Sequence, residues 1–113
     1  MEKINMRQYF DHESCAYTYL LFDSFNKKSV IIDPVLEQFD RDMETVKKLN
    51  LKLIGILETH VHADHITGAF TIRKKTGTPI YYGSESGVQG ADFMLNDGDC
   101  IHVGQFEIKT IHT

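Results

Sequence analysis

The run Lys52–Glu58 is the feature that most limits how this chain can fold. Its apolar residues are Leu53, Ile54, Ile56 and Leu57. In an extended backbone their side chains point to both sides, which predicts a strand that is buried on both faces. A strand of this kind needs a packed layer on each side. The run is also far too short to cross a bilayer. It therefore predicts the interior strand of a layered α/β domain.

A helix is predicted directly before this strand. Apolar residues recur at helical spacing over about residues 37–50, namely Leu36, Phe39, Met43, Val46 and Leu49. Acidic residues crowd the start of the segment, and Lys47 and Lys48 lie near its end, which suits the helix dipole. A short β-branched strand over 29–32 precedes the helix. Strand, helix and strand together predict a βαβ-like layer arrangement.

The other elements are predicted from shorter patterns. Further strands are expected over 6–10, 16–22, 79–82, 100–103 and 105–111. The last two alternate like a hairpin around Gly104, and a second helix is expected over 66–76 with Gly77 as its stop. The predicted fold is α/β (α+β), with a mixed, mainly antiparallel sheet and two helices.

Three histidines and one aspartate follow the apolar strand within a short stretch: His60, His62, Asp64 and His65. In extended backbone His60 and His62 point to the same side, and Asp64 and His65 lie in the turn that follows. Imidazole and carboxylate groups suit Zn, Fe(II) and similar ions. Because strand ends in layered α/β folds offer side chains to a cleft, these four residues are the candidate metal ligands. Asp64 is also the candidate catalytic residue, although Asp64 alone could instead be a helix N-cap.

Charge and cysteine usage exclude some classes of protein. The formal net charge of −4 argues against a nucleic-acid-binding or anionic-membrane surface. Residues 1–7 lack the apolar stretch of a signal peptide, which predicts a cytoplasmic location. Cys15 and Cys100 are far apart and have no metal-ligand spacing, so both are expected to be buried, reduced thiols.

The motif His60-x-His62-x-Asp64-His65 resembles the signature of the metallo-β-lactamase superfamily. Three wider segments and one turn look like the persulfide dioxygenase branch of that superfamily: 14–21, 31–35, 58–68 and Asp97-Gly98-Asp99. The resemblance covers about residues 7–113 and implies an αββα sandwich roughly twice as long as this chain. Residues 1–113 would then be the truncated N-terminal part of one such domain.

That resemblance implies a single Fe(II), held by two His and one Asp, with His60 as the first ligand and His62, Asp64 and His65 beside it. The implied reaction converts glutathione persulfide, O2 and water into glutathione and sulfite. One alternative is a glyoxalase II-type hydroxyacylglutathione hydrolase, in which all four residues hold two metal ions, with Zn in place of iron. Another alternative is a non-catalytic module.

The family's next ligand His belongs to a His-Thr-Pro-Gly-His-Thr stretch, and this chain reaches only His112 and Thr113 of it. The two remaining ligands are therefore expected beyond Thr113, and the isolated chain is expected to be inactive. His12, His102 and His112 are not expected to substitute, because metal ligands must converge within tight distances. Half a sandwich also leaves a sheet face uncovered, which predicts a homodimer or association through that face.

Overall fold

A six-stranded sheet forms the centre of the molecule, whose computed structural model describes residues 4–13, 15–59, 68–83 and 91–111. The strands lie in chain order across the sheet: β1 Ile4–Asp11, β2 Ala16–Asp23, β3 Lys28–Ile32, β4 Lys52–Glu58, β5 Ile80–Gly83 and β6 Phe93–Leu95. The helices are α1, Phe39–Lys48, which follows a 3₁₀ turn at Leu36–Gln38, and α2, Ala69–Thr76. A separate antiparallel hairpin consists of β7, Cys100–Val103, and β8, Phe106–Lys109.

The central sheet is mixed, as predicted. The pairs β1–β2 and β2–β3 are antiparallel, whereas β3–β4, β4–β5 and β5–β6 are parallel. The parallel pairs β3–β4 and β4–β5 arise because α1 and α2 are crossover helices, which return the chain to the same end of the sheet before the next strand begins.

One face of the sheet packs against the helices. Its buried cluster combines strand residues with the inner face of α2, and the apolar side of α1 packs on it. The residues from these helices and from the cap that ends α1 are Phe39, Met43, Val46, Leu49, Ala69 and Ile72. This confirms the apolar face predicted for the first helix. Gly77 ends α2 in left-handed backbone with a φ of 77°, as its position in the sequence predicted.

The hairpin packs against the opposite face. Val30 and Leu57 from the sheet contact Ile101 and Val103 from β7 in a second buried cluster. Since Ile56 belongs to the helix-side cluster, β4 is buried on both faces, as its apolar run predicted. The hairpin turn is fixed to the end of β2, where the Gln105 N–H donates a hydrogen bond of 2.9 Å to Asp23 Oδ2.

Part of the hairpin-side face remains exposed over β1 and β2. Met6 pairs with Leu21 and Phe10 with Tyr17 across these strands, and Leu21 packs on the hairpin-side cluster. Met6, Phe10 and Tyr17 are 58%, 36% and 50% exposed. These three residues are called the exposed sheet face below.

Two further expectations concern reactive side chains. The prediction of buried cysteines is wrong, because Cys15 and Cys100 are both exposed free thiols. Cys15 lies in a turn before β2, and Cys100 occupies the solvent side of β7, where it alternates with buried Ile101. His102 is exposed on the same strand, 3.7 Å from a Glu107 carboxylate oxygen, as expected for a surface histidine. In the described part of the chain, no helix is long and apolar enough to span a bilayer.

Candidate metal-binding site

In the sequence, the candidate ligands come directly after β4, whose carboxyl end lies at the same end of the sheet as those of its parallel neighbours β3 and β5. His60, His62, Asp64 and His65 lie outside the described residues, so the metal-ligand and catalytic assignments stay predictions. The described residues on either side of this segment are Thr59 and Gly68. Their contacts define how the ligand-bearing segment leaves the sheet and where it rejoins the fold.

Asp33 fixes the point where the segment begins. Its carboxylate accepts one hydrogen bond from the Thr59 backbone N–H, at 2.8 Å, and another from the Thr59 hydroxyl. The Asp33 backbone is itself held: its N–H donates to the Leu57 carbonyl at 2.8 Å, and its carbonyl accepts from the Thr18 hydroxyl at 2.9 Å. The side chain of Asp33 therefore holds Thr59, while the Asp33 backbone is bonded to strands β2 and β4.

Pro34 fixes the point where the segment ends. The Gly68 N–H donates a hydrogen bond of 2.8 Å to the Pro34 carbonyl, and the Gly68 carbonyl accepts from the Ile72 N–H at 3.0 Å as α2 begins. A Cβ atom on Gly68 would lie 3.1 Å from the carbonyl carbon and oxygen of Val35, so a side chain here needs the backbone to shift. Thr59 and Gly68, the described residues on either side of 60–67, are thus bonded to the consecutive residues Asp33 and Pro34, which are called the Asp33–Pro34 anchor below.

Two buried carboxylates give this edge of the sheet a negative character. Asp33 is 8% exposed and Glu58 is 4% exposed. Burial, reinforced by the charges of Glu58 and Asp33, raises the pKa of the neighbouring Tyr82 hydroxyl to about 12. Because the charges of Glu58 and Asp33 contribute to this shift, carboxylate charge at this end of the sheet disfavours a second anion there and favours a cation.

The residues described by the structure do not by themselves make a metal site. Among them, no three His, Cys, Asp or Glu side chains converge on one point. His12 is exposed and makes an edge contact with the Phe10 ring, at 4.9 Å between ring centroids. His102 pairs with Glu107 on the hairpin at 3.7 Å, and that neither histidine replaces a candidate ligand stays a prediction.

The sequence did not reveal what Asp33, Pro34 and Gly68 do. In the sequence, the Asp33-Pro34 pair directly follows the strand predicted over 29–32 and lies within segment 31–35 of the family resemblance. The sequence signal for a role of Asp33 is that its carboxylate follows the end of β3, and the candidate ligands follow the end of the next strand, β4. Which backbone groups it binds becomes visible only once β3 and β4 are paired in register.

Comparison with known proteins gives a consistent result. The family model "Metallo-beta-lactamase superfamily" matches residues 16–108. The chain is 45% identical over 106 residues to bovine (Bos taurus) "Persulfide dioxygenase ETHE1, mitochondrial", covering 93% of this chain and 41% of that protein. The crystal structure of ETHE1 from Myxococcus xanthus superposes with a TM-score of 0.87 at 44% identity, covering 93% of this chain and 46% of that one. A hydroxyacylglutathione hydrolase from Pelagibacter ubique is 29% identical over 98 residues, covering 85% of this chain and 40% of that protein. The chain therefore spans less than half the length of each of these relatives.

Proposed function

Because this chain belongs to the metallo-beta-lactamase superfamily, we propose that the protein containing it is a persulfide dioxygenase that converts glutathione persulfide, O2 and water into glutathione and sulfite. The observation that carries the proposal is the likeness to the bovine persulfide dioxygenase along almost the whole chain. The likeness to the Myxococcus xanthus structure supports it on the level of the backbone.

The residue types around the candidate site fit a non-haem iron. Imidazole and carboxylate donors suit Fe(II), and an arrangement of two His and one Asp leaves positions open for O2 and a sulfur ligand. We propose that His60 is the first ligand, with His62, Asp64 and His65 next to it. When bound, the iron supplies the redox chemistry, and the protein supplies position and electrostatics.

The described residues have definite parts in this proposal. Asp33 holds Thr59, which directly precedes His60, so the first ligand starts from a fixed point. The carboxyl groups of Asp33 and Glu58 are buried at the carboxyl ends of β3 and β4, and carboxylate charge there favours a metal cation. Burial and these two carboxylates raise the pKa of the neighbouring Tyr82 to about 12. In this proposal Asp33 positions the first ligand, and Asp33 and Glu58 balance the charge of the metal. Neither these two residues nor Tyr82 takes part in the reaction itself.

The test is metal analysis and oxygen uptake of the full-length protein. We expect one iron per chain and oxygen consumption with glutathione persulfide, and His60→Ala should abolish iron binding. His102→Ala is the matched control, because His102 is exposed and pairs only with Glu107 among the described residues. Full iron content in the His60→Ala protein would show that the ligand assignment is wrong.

The alternative of a glyoxalase II-type hydrolase is favoured by the likeness to the Pelagibacter ubique enzyme, although the identity is lower. It requires two metal ions that activate a water molecule to attack a glutathione thioester. Two metals per chain, together with thioester hydrolysis and no oxygen uptake, would replace the first proposal by this one.

The 113-residue chain by itself is a separate question. We propose that it binds iron weakly, because the family pattern supplies the other two ligands from residues that this chain does not contain. Iron titration of this chain tests that proposal, and stoichiometric tight binding would contradict it. The cytoplasmic location also stays a prediction, while the name of the bovine relative assigns that enzyme to mitochondria.

A further inference from the structure

We propose that the outer edge of β1, Ile4–Asp11, is an interface for a second copy of this chain, which pairs antiparallel through its own β1 and joins the two six-stranded sheets into one. The inference concerns association and does not depend on the proposed reaction. It rests on three features of β1: the length and regularity of its open edge, the exposed apolar side chains along it, and the placement of its two charges.

The first feature is that β1 is a long and regular edge strand. It comes first in the strand order, so no strand of the described residues pairs with its outer side. All eight of its residues pair one-to-one with β2, without a bulge, whereas β6 at the other edge has only three residues. Folded monomers usually shorten or bend an exposed edge strand, or place proline in it, because the backbone groups of an open edge bind other strands. β1 has neither a bulge nor a proline, so its edge is open to another strand.

The second feature is the apolar surface beside this edge. Ile4, Met6 and Phe10 lie on the hairpin-side face of β1 and are exposed. In an antiparallel pair, residues on the diagonal are about 7–8 Å apart, which is within reach of aromatic and long side chains. Pairing of two β1 strands therefore removes apolar surface of both copies from water, which favours association.

The two charges of β1 select a second copy as the partner. Arg7 and Asp11 have opposite sign and lie four residues apart, so they share one face of the strand. A two-fold axis at Tyr9 places each Arg7 directly across from Asp11 of the second copy, and opposite charges in this arrangement stabilise a strand pair. Gln38 donates a hydrogen bond of 2.8 Å to Asp11 Oδ1, which holds this carboxylate in place. In this register β1 is therefore complementary in charge to itself.

Sedimentation equilibrium of the whole 113-residue chain measures the dissociation constant of the dimer and is the first test. Arg7→Glu replaces both pairs of opposite charge by pairs of like charge, so the dissociation constant should rise about tenfold. Lys52→Glu is the matched control, because it makes the same change in net charge at an exposed residue of an interior strand. It should change the dissociation constant less than about twofold. Urea unfolding verifies that both variants are folded.

Cross-linking determines the register. The variants carry Cys15→Ser and Cys100→Ser, which remove the two exposed thiols. Tyr9→Cys lies on the two-fold axis, where directly opposed Cβ atoms are about 4.5–5.5 Å apart, so mild oxidation should link the two copies through a disulfide. Tyr19→Cys on β2 is the matched control: three strand spacings of about 4.8 Å separate the two copies of that residue, which is too far for a disulfide.

Three results would each overturn the inference: a wild-type chain that stays monomeric at its highest soluble concentration, equal dissociation constants for Arg7→Glu and Lys52→Glu, or cross-linking of Tyr9→Cys that is no faster than that of Tyr19→Cys. A dimer with either of the last two results is held by another surface, such as the exposed sheet face. The Tyr9 hydroxyl also lies 2.8 Å from Thr45 Oγ1. If Tyr9→Cys does not unfold cooperatively for that reason, the comparison of Arg7→Glu with Lys52→Glu decides the matter.

Discussion

Replacing Gly104 with alanine tests how the hairpin is attached to the sheet. Gly104 has a φ of 64°, and a Cβ atom there would overlap the side-chain amide of Asn26 and lie 2.5 Å from Asp23 Oδ2. Left-handed backbone costs alanine about 1–2 kcal/mol. Displacing Asp23 also weakens its bond with the Gln105 N–H, and a hydrogen bond to a charged group contributes about 1.5–3 kcal/mol. Gly104→Ala should therefore lower the free energy of unfolding by about 3–5 kcal/mol.

Gly77→Ala is the matched control. Gly77 has a φ of 77°, and a Cβ atom there would have no atom within 4 Å. It carries the same backbone cost and the same change in the unfolded chain, but no steric clash. Urea unfolding of the three proteins should show that Gly104→Ala loses about 2 kcal/mol more than Gly77→Ala, with an unchanged slope against urea. Equal losses in the two variants would refute the reasoning, because the contact with Asp23 would then contribute nothing.

Two further predictions concern the charge on α1 and the exposed sheet face. Asp42 is 2% exposed, and burial, partly offset by Arg41, raises the pKa of its carboxyl to about 6 from 3.8. Because the pKa of Asp42 is higher in the folded than in the unfolded protein, protonated Asp42 stabilises the fold. This contribution to the free energy of unfolding is complete below about pH 4 and is lost as the pH rises through about 6. In urea unfolding, Asp42→Asn should therefore become more stable relative to wild type by about 3 kcal/mol over this pH range. A difference that does not vary with pH would contradict the assignment. The exposed sheet face predicts that the 113-residue chain is a dimer at high concentration and that the double substitution Phe10→Ser and Tyr17→Ser makes it monomeric; light scattering that shows a compact wild-type monomer would contradict this.

The layers of the fold could be predicted because single segments carry their own patterns. The strand predicted from the apolar run has the bounds Lys52–Glu58 that the structure shows, and α1 presents the predicted apolar face. α1 begins at Phe39 because the preceding turn is 3₁₀. β6, Phe93–Leu95, was not predicted, since a strand this short has no periodicity of its own and depends on pairing with β5. Whether neighbouring strands are parallel or antiparallel likewise depends on contacts between segments that are distant in the chain.

The same distinction applies to the candidate site. His60, His62, Asp64 and His65 were identified because they are close together in the sequence. The Asp33–Pro34 anchor could not be, because its bonds to Thr59 and Gly68 join residues on different elements. The wrong prediction for Cys15 and Cys100 has another cause: the tendency of cysteine to be buried is an average, and the local turn and strand alternation decide each case.

The bond between Asp23 and Gln105 joins residues that are 82 positions apart. A ribosome releases the chain from its N-terminus, so β3 and β4 emerge well before the hairpin that covers Val30 and Leu57. Until that hairpin has been synthesised, the apolar side chains on one face of the nascent sheet are exposed to solvent and to chaperones. Translational pausing just before the hairpin, β7–β8, should therefore increase aggregation of the nascent protein.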